Sequence, residues 1–343
     1  MVSKTDLRQH ARETMIGVEN TIIPSFTPDL AQLDEQGIRH DVRQSIKHGF
    51  FSCLAATESG LSFAEAKEFV SIVCDEAGDK IKVTTTLLFD SWNQQFAMLE
   101  HAQKVGVDAV LLGYPTAWYP NTPEQIYEKS RNICESTNMG IILYPSPHFN
   151  YLRFHPSGFP IDVLHRLVDN CENVIAVKLG EMGLIAECLH RFGDQVLIGC
   201  PIESYQPTCL LHLGLQWMGA GIYEVFQSPD KPYLVEYFNL LLQARRENDS
   251  NKAEHGMELY WRLTPARRTF ESMYNPMLGT YHWTRQKFYQ WCVGGNGGVT
   301  RQPSMKLHQH EMEQIRQSYR MIGIQPDGND EAFYLGRSNY EGV

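Results

Sequence analysis

The run NVIAVKLGEMG, Asn173 to Gly183, carries four apolar residues, Val174 to Val177, straight into Lys178. A lysine in that place has two readings. Its stem can lie on apolar surface while the ammonium reaches water. Alternatively, partial burial can disfavour the charge and leave a neutral amine that attacks carbonyls. Tyr144 closes a second apolar run, IILYPSP. A neutral amine beside a phenol is what imine chemistry needs. The amine adds to a ketone, and the phenol shuttles the proton that loss of water from the carbinolamine requires. The protonated imine then accepts an electron pair when a carbon–carbon bond breaks. Taken alone, the lysine leaves both readings open.

Both residues need elements to hold them. Short apolar runs recur at 18–26, 50–57, 81–89, 108–114, 140–147, 174–180, 195–200 and 218–225, and each reads as a strand. Between them apolar residues return at helical spacing: Phe63, Ala66, Phe69, Val70 and Val73 share one face, and Phe96, Leu99, Ala102 and Val105 another. Ser62 followed by Glu65 is a capping-box pattern, and Gly78 and Gly106 stand where helix ends favour a left-handed residue. Eight such units predict an α/β chain folded as a (β/α)8 TIM barrel. An open doubly wound sheet of fewer strands competes, but no glycine fingerprint follows the first strand to support it. After Glu224 the pattern turns helical, with helices expected over 279–293 and 308–322. GGNGG (294–298) follows a helix rather than a strand and reads as a turn, not a phosphate loop. The divisions expected are an N-terminal arm (1–17), the barrel (18–228), a C-terminal helical extension (229–325) and a loosely held tail (326–343).

In a barrel the reacting groups come from the C-terminal ends of the strands and the loops after them. That rule gathers Lys178 from the sixth strand and Tyr144 from the fifth. It adds Ala56, Thr57 and Glu58 after the second, Trp118 and Tyr119 after the fourth, and Tyr223 at the eighth. Glu203 and Glu224 follow the seventh and eighth, where each could be an acid or base, or a salt-bridged carboxylate. His148, His155, His308 and His310 make no metal-ligand spacing with a carboxylate, so no metal is expected. The net charge of −10 argues against a nucleic-acid partner, which needs clustered Lys and Arg. No apolar run is long enough to span a bilayer, and the opening MVSKTDLRQHARETM lacks the apolar core of a signal peptide. The eight cysteines are scattered without a disulfide framework, which suits a reduced, cytoplasmic protein with no membrane partner.

ILYPSP followed by VIAVKLG, together with ATESGLSFAEAKEFV and LEHAQKVGVDAVLL, resembles the dihydrodipicolinate synthase / N-acetylneuraminate lyase superfamily of Schiff-base aldolases. The resemblance runs from about residue 17 to 325. It implies a barrel with a C-terminal helical extension and a covalent imine on Lys178 in place of any cofactor. It also implies Tyr144 as proton shuttle, a homodimer or homotetramer, and a 2-oxo acid with an aldehyde as small-molecule partners. Three departures shape the substrate expected. The family's carboxylate loop Gly-Thr-Thr-Gly-Glu is AATES here, with Thr57 the hydroxyl that remains. Phe149 stands where dihydrodipicolinate synthases have an arginine for a second carboxylate. HFNYLRFHPSGF reads as an insertion, an aromatic-rich lid in which Tyr151 and Phe154 join Phe149, Trp118 and Tyr119 at the mouth of the site. LGYPTAW and YNPMLGTYHWTRQKFYQW resemble segments of the hydratase-aldolases, which cleave benzylidenepyruvate-type compounds to an aromatic aldehyde and pyruvate. The expected activity is therefore a carbon–carbon lyase for a bulky, aromatic or polycyclic 2-oxo acid. A dehydratase of a keto-deoxy sugar acid, or a catalytically silent metabolite-binding barrel, is the alternative.

Overall fold

The computed structural model describes residues 3–146, 149–273, 282–302 and 304–340. Helix α1 (Leu7–Thr14) precedes eight strands: β1 (Gly17–Ile22), β2 (Ser52–Ala55), β3 (Lys82–Leu87), β4 (Ala109–Leu112), β5 (Gly140–Leu143), β6 (Val174–Lys178), β7 (Leu197–Gly199) and β8 (Trp217–Gly221). Their order in the sheet is β7-β6-β5-β4-β3-β2-β1-β8. Each expected apolar run supplies one strand, and each strand is shorter than its run. β1 stops at Ile22 because Pro24 has no N–H to give to a ladder. Helices α2 (Glu35–Lys47), α3 (Phe63–Ala77), α4 (Trp92–Val105), α5 (Pro123–Glu135), α6 (Ile161–Asn170) and α7 (Met182–Phe192) alternate with β1 to β7. Ser62 caps α3 by accepting from the Glu65 N–H, and Glu65 answers to the Ser62 N–H, as the sequence pattern predicts. Gly106 ends α4 in the left-handed region at φ 89°.

The chain divides into two compact units. The first, Met1–Gly17 with Lys82–Gly219, contains β3 to β7. Its strands pair in parallel, with Leu112 opposite Leu143, Leu143 opposite Val177 and Lys178 opposite Gly199. Such strands are buried on both faces and so read as unbroken apolar runs. The arm holding α1 is docked rather than free. Arg8 donates to the carbonyls of Val168 and Cys171, which end α6, and to Val174 of β6. Lys4 does the same for Cys134 in the last turn of α5 and Thr137 just after it. Cations at helix C-termini satisfy carbonyls that the helix leaves unpaired.

The second unit, Val18–Ile81 with Ala220–Val343, contains β1, β2, α2, α3 and the C-terminal helices. Helices Tyr233–Glu247 and Ser250–Arg262 meet at Asn248, which is left-handed at φ 55°. Helices Trp283–Cys292 and Gln309–Met321 answer to the expected 279–293 and 308–322, with 274–281 outside the described residues. GGNGG is a turn in which Gly294, Gly297 and Gly298 take positive φ. The stretch read as a loosely held tail forms helices Asp330–Leu335 and Arg337–Tyr340. Phe333 is fully buried against Phe288 and Trp291, and Ser338 and Asn339 both donate to Asp34. Among the described residues no helix is long and apolar enough to cross a membrane.

Candidate active site

Lys178 is the last residue of β6 and is 5% exposed. Its backbone is held against β7, by pairing with Gly199 and by the Leu179 N–H donated to the Gly199 carbonyl at 2.9 Å. Its stem runs past Gly219 of β8. A Cβ at position 219 would lie 3.0 to 3.3 Å from Lys178 Cδ, Cγ and Cε, so the missing side chain is the channel for the lysine. The Nζ ends 4.8 Å from the ring centroid of Tyr144. A cation over a phenol face is attracted by the ring quadrupole, and this contact sets amine and phenol together. Tyr144 lies one residue beyond β5 and is half-buried. A tight turn, closed by the Ser146 N–H on the Tyr144 carbonyl at 2.8 Å, takes the chain away from the sheet there. Behind Lys178, Cys200 follows β7 and shares a hydrogen bond with Cys209. That bond and burial both push the Cys200 thiol far up, so it stays a neutral thiol.

An aromatic wall stands beside this pair in the same unit. The Phe149 ring meets Tyr144 edge to face at 6.3 Å and Tyr114 at 4.9 Å. Tyr114 stacks on Trp118 at 5.4 Å, and Trp92 meets Trp118 edge-on at 5.0 Å. Tyr151 and Phe159 complete the cluster behind them. Tyr114, Tyr151 and Phe159 are buried, whereas Phe149 and Trp118 are half-buried. Tyr114 is anchored: its hydroxyl lies 2.7 Å from Ser130 Oγ, which itself donates to the Ile126 carbonyl. Burial pushes the Tyr114 phenol well above its ordinary value, so this anchor keeps its proton. The geometry offers an amine, a phenol and a rigid apolar surface in sequence.

Of the residues expected in this half, Lys178, Tyr144, Phe149 and Trp118 stand together, Trp118 through Tyr114. Tyr119 stands apart from the wall, 67% exposed, with the Arg153 guanidinium stacked on it at 3.8 Å. Tyr151, expected at the mouth, is buried inside the cluster instead. His155 makes an ordinary polar contact with Ser157, and His148 lies outside the described residues. Tyr114, Trp92, Phe159 and Gly219 are residues that sequence reasoning missed. Tyr114 had a signal, since an aromatic residue at the end of the fourth apolar run falls where a barrel places its site.

The remaining expected residues belong to the second unit. Ala56 and Thr57 are buried and Glu58 half-buried just after β2, with Ser59 donating to the Ala56 carbonyl at 2.7 Å. Tyr223 is buried and folds its ring over Gly221, where a Cβ would meet it at 2.6 Å. Glu224 is buried too, accepting from Asn20 of β1. Burial pushes its carboxyl up to about 8, against the pull of the Asn20 hydrogen bond. Glu203, in the first unit, is likewise buried, so neither carboxylate is a surface group. Among the described residues no group of His, Cys, Asp or Glu could hold a metal ion.

The family described as "Dihydrodipicolinate synthetase family" matches residues 16–212. A 4-hydroxy-tetrahydrodipicolinate synthase of Methanopyrus kandleri is 24% identical over 320 residues, covering 91% of this chain and 98% of that protein. The crystal structure of dihydrodipicolinate synthase from Aquifex aeolicus overlays with a TM-score of 0.73 at 20% identity, covering 92% of this chain and 100% of that one. N-acetylneuraminate lyase from Fusobacterium nucleatum, solved with pyruvate, gives 0.70 at 16% identity, covering 90% and 97%. These likenesses fix the fold as a (β/α)8 barrel with C-terminal helices.

Proposed function

Because the chain belongs to the dihydrodipicolinate synthetase family of lysine-imine carbon–carbon lyases, we propose that it cleaves or forms a bond in an aryl-bearing 2-oxo acid through Lys178 and Tyr144. The Lys178 amine adds to the C2 carbonyl, and water leaves as the imine forms. Tyr144 gives its proton to the departing hydroxyl, which leaves a protonated imine and a phenolate, and in the cleavage direction the phenolate takes the proton of the 4-hydroxyl. The C3–C4 bond then breaks, the aldehyde departs, and the electron pair enters the imine to give an enamine. Protonation at C3 and attack of water on the imine return pyruvate and the free amine. For an arylidene substrate, addition of water across the C3–C4 double bond supplies the 4-hydroxyl. Among these steps the phenol contributes acid–base catalysis and the lysine covalent catalysis.

The observation that carries the substrate class is the wall itself. Phe149 and Trp118 are half-buried, buried Tyr114 contacts both rings, and Phe149 meets Tyr144. Burying an aryl face there gains about 25 cal/mol per Å² removed from water. A second carboxylate against the same rings would be desolvated without a partner, at a cost of several kcal/mol by rough estimate. Ala56, Thr57, Glu58 and Tyr223 complete the proposal as substrate-binding residues, Thr57 with the backbone amides of its loop serving the C1 carboxylate. All eight cysteines are free thiols, which supports a reducing, cytoplasmic setting. A panel of substituted benzylidenepyruvates, aspartate semialdehyde with pyruvate, sialic acid and keto-deoxy sugar acids, assayed for release or uptake of pyruvate, tests the reading. The aryl compounds should lead by at least tenfold in kcat/KM. A sugar acid or sialic acid at the head would replace it.

A further inference from the structure

The segment between β5 and α6 is a closed loop of its own. Asn150 and Gly158 both sit in the left-handed region, at φ 53° and 83°, and between them the chain turns back on itself. The Tyr151 N–H reaches the Gly158 carbonyl at 3.2 Å, and the Phe154 N–H reaches the Tyr151 carbonyl at 2.8 Å. Asparagine and glycine are the residues that accept such backbone angles at least cost. Tyr151 pins the inner side of the loop into the aromatic cluster. The tip points to water: Leu152 is 60% exposed, and Arg153 follows it.

Arg153 has an unusual set of partners for an exposed arginine. Its guanidinium lies 3.8 Å from the Tyr119 ring centroid and 4.4 Å from that of Phe154, so it is sandwiched between two rings. It also donates to the carbonyl of Pro120 and, at 3.5 Å, to that of Asn150. Tyr119 and Pro120 belong to the loop after β4, whereas Phe154 and Asn150 belong to the loop after β5. One side chain therefore joins the two loops that carry the wall. Trp118 is next to Tyr119 on one loop, and Phe149 is next to Asn150 on the other. A planar guanidinium can stack on both faces while its N–H groups reach carbonyls in its own plane, which an ammonium cannot do.

We propose that Arg153 is a positioning residue that latches the β4 and β5 loops together, and so fixes the spacing of Trp118 and Phe149 that receives the aryl group of the substrate. The proposal rests on the reading of the wall given above. The latch acts on binding of the aryl end and not on the imine, because Arg153 touches neither Lys178 nor Tyr144 among the described contacts. Its loss raises KM for an arylidene substrate and leaves kcat unchanged, or raises it where departure of the aldehyde is slow.

The test compares the full-length protein with Arg153→Ala and Arg153→Lys in three measurements. Borohydride trapping of pyruvate reports the imine without any aryl group. Steady-state kinetics with benzylidenepyruvate report the KM-against-kcat split. Hydrogen exchange over 115–121 and 149–159 reports the joining of the loops. The expected result is equal trapping in all three proteins and a KM about 2–30-fold higher in Arg153→Ala, the range of one exposed to partly desolvated cation–π contact. Exchange should rise in both loops together, and Arg153→Lys should recover only part of either effect. An unchanged KM, a loss confined to kcat, or exchange that rises in 149–159 alone would overturn the latch. If the wild type traps pyruvate but does not turn over the aryl compound, the substrate reading falls, and the exchange of the two loops still decides whether Arg153 joins them.

Discussion

Glu224 gives the sharpest physical test of the second unit. Its carboxyl is buried and raised to about 8 from an ordinary value near 4.5, with desolvation the leading cause and the Asn20 hydrogen bond opposing it. Between those two values the folded protein holds a proton that the unfolded chain has released. Stability therefore falls as pH rises through the window, by about 1.4 kcal/mol per pH unit, and levels off above pH 8. Across the whole interval the loss has a ceiling of about 5 kcal/mol, lowered by whatever water reaches the carboxylate once it ionises. Glu224→Gln keeps the acceptor for Asn20 and carries no proton to lose. Lys287, fully buried with its own pKa depressed by desolvation, contributes with the opposite sign. The difference between wild type and variant is therefore the quantity to read. Urea unfolding of both proteins at half-unit steps from pH 5 to 9 should show Glu224→Gln gaining on the wild type steadily and then holding its gain. Two curves that run parallel over that range would refute the assignment of a buried, protonated Glu224.

Four other outcomes follow from the same geometry. Tyr144→Phe should leave the protein folded and slow turnover by about 10²–10⁴-fold, the usual cost of a positioned acid–base group; near-normal turnover would remove Tyr144 from the mechanism. Gly219→Ala puts a Cβ about 3.0 Å from the Lys178 stem, and the displaced amine should cost roughly 10-fold to 10²-fold in kcat with little change in melting temperature, whereas wild-type kcat would show that the stem has other room. Phe149→Arg should lower kcat/KM for aryl 2-oxo acids and raise it for substrates with a second carboxylate, read on the same panel. Light scattering at micromolar concentration should give a closed homo-oligomer, a dimer or tetramer, since closed symmetry is the usual outcome for soluble homo-oligomers; a monomer would contradict it.

Much of the site lay open in the sequence because chemistry and periodicity coincide at strand ends. Lys178 and Tyr144 are polar residues closing apolar runs, and the structure sets them at the ends of β6 and β5. What the sequence concealed depends on contacts between distant segments. Nothing local to Gly219 says that its missing side chain makes room for Lys178. Nothing local to Lys287 says that it is buried and bonds to Ser25 and the carbonyls of Ile23 and Pro24 after β1. The polar C-terminal stretch reads as loose because its composition is poor in apolar residues, but one buried ring, Phe333, with the Asp34 hydrogen bonds docks it. Arg153 shows the same limit. Its charge is legible, but its place between Tyr119 and Phe154 depends on how two loops meet.

The central claim is that Lys178 forms an imine with a 2-oxo acid. It is tested most directly by incubating the protein with pyruvate and borohydride and reading the intact mass, then locating the adduct by peptide mapping. One stable pyruvate-derived adduct per chain is expected, on the peptide that contains Lys178, and it should be lost in Lys178→Ala. Absence of an adduct in the wild type, or an adduct undiminished in the variant, would contradict the claim.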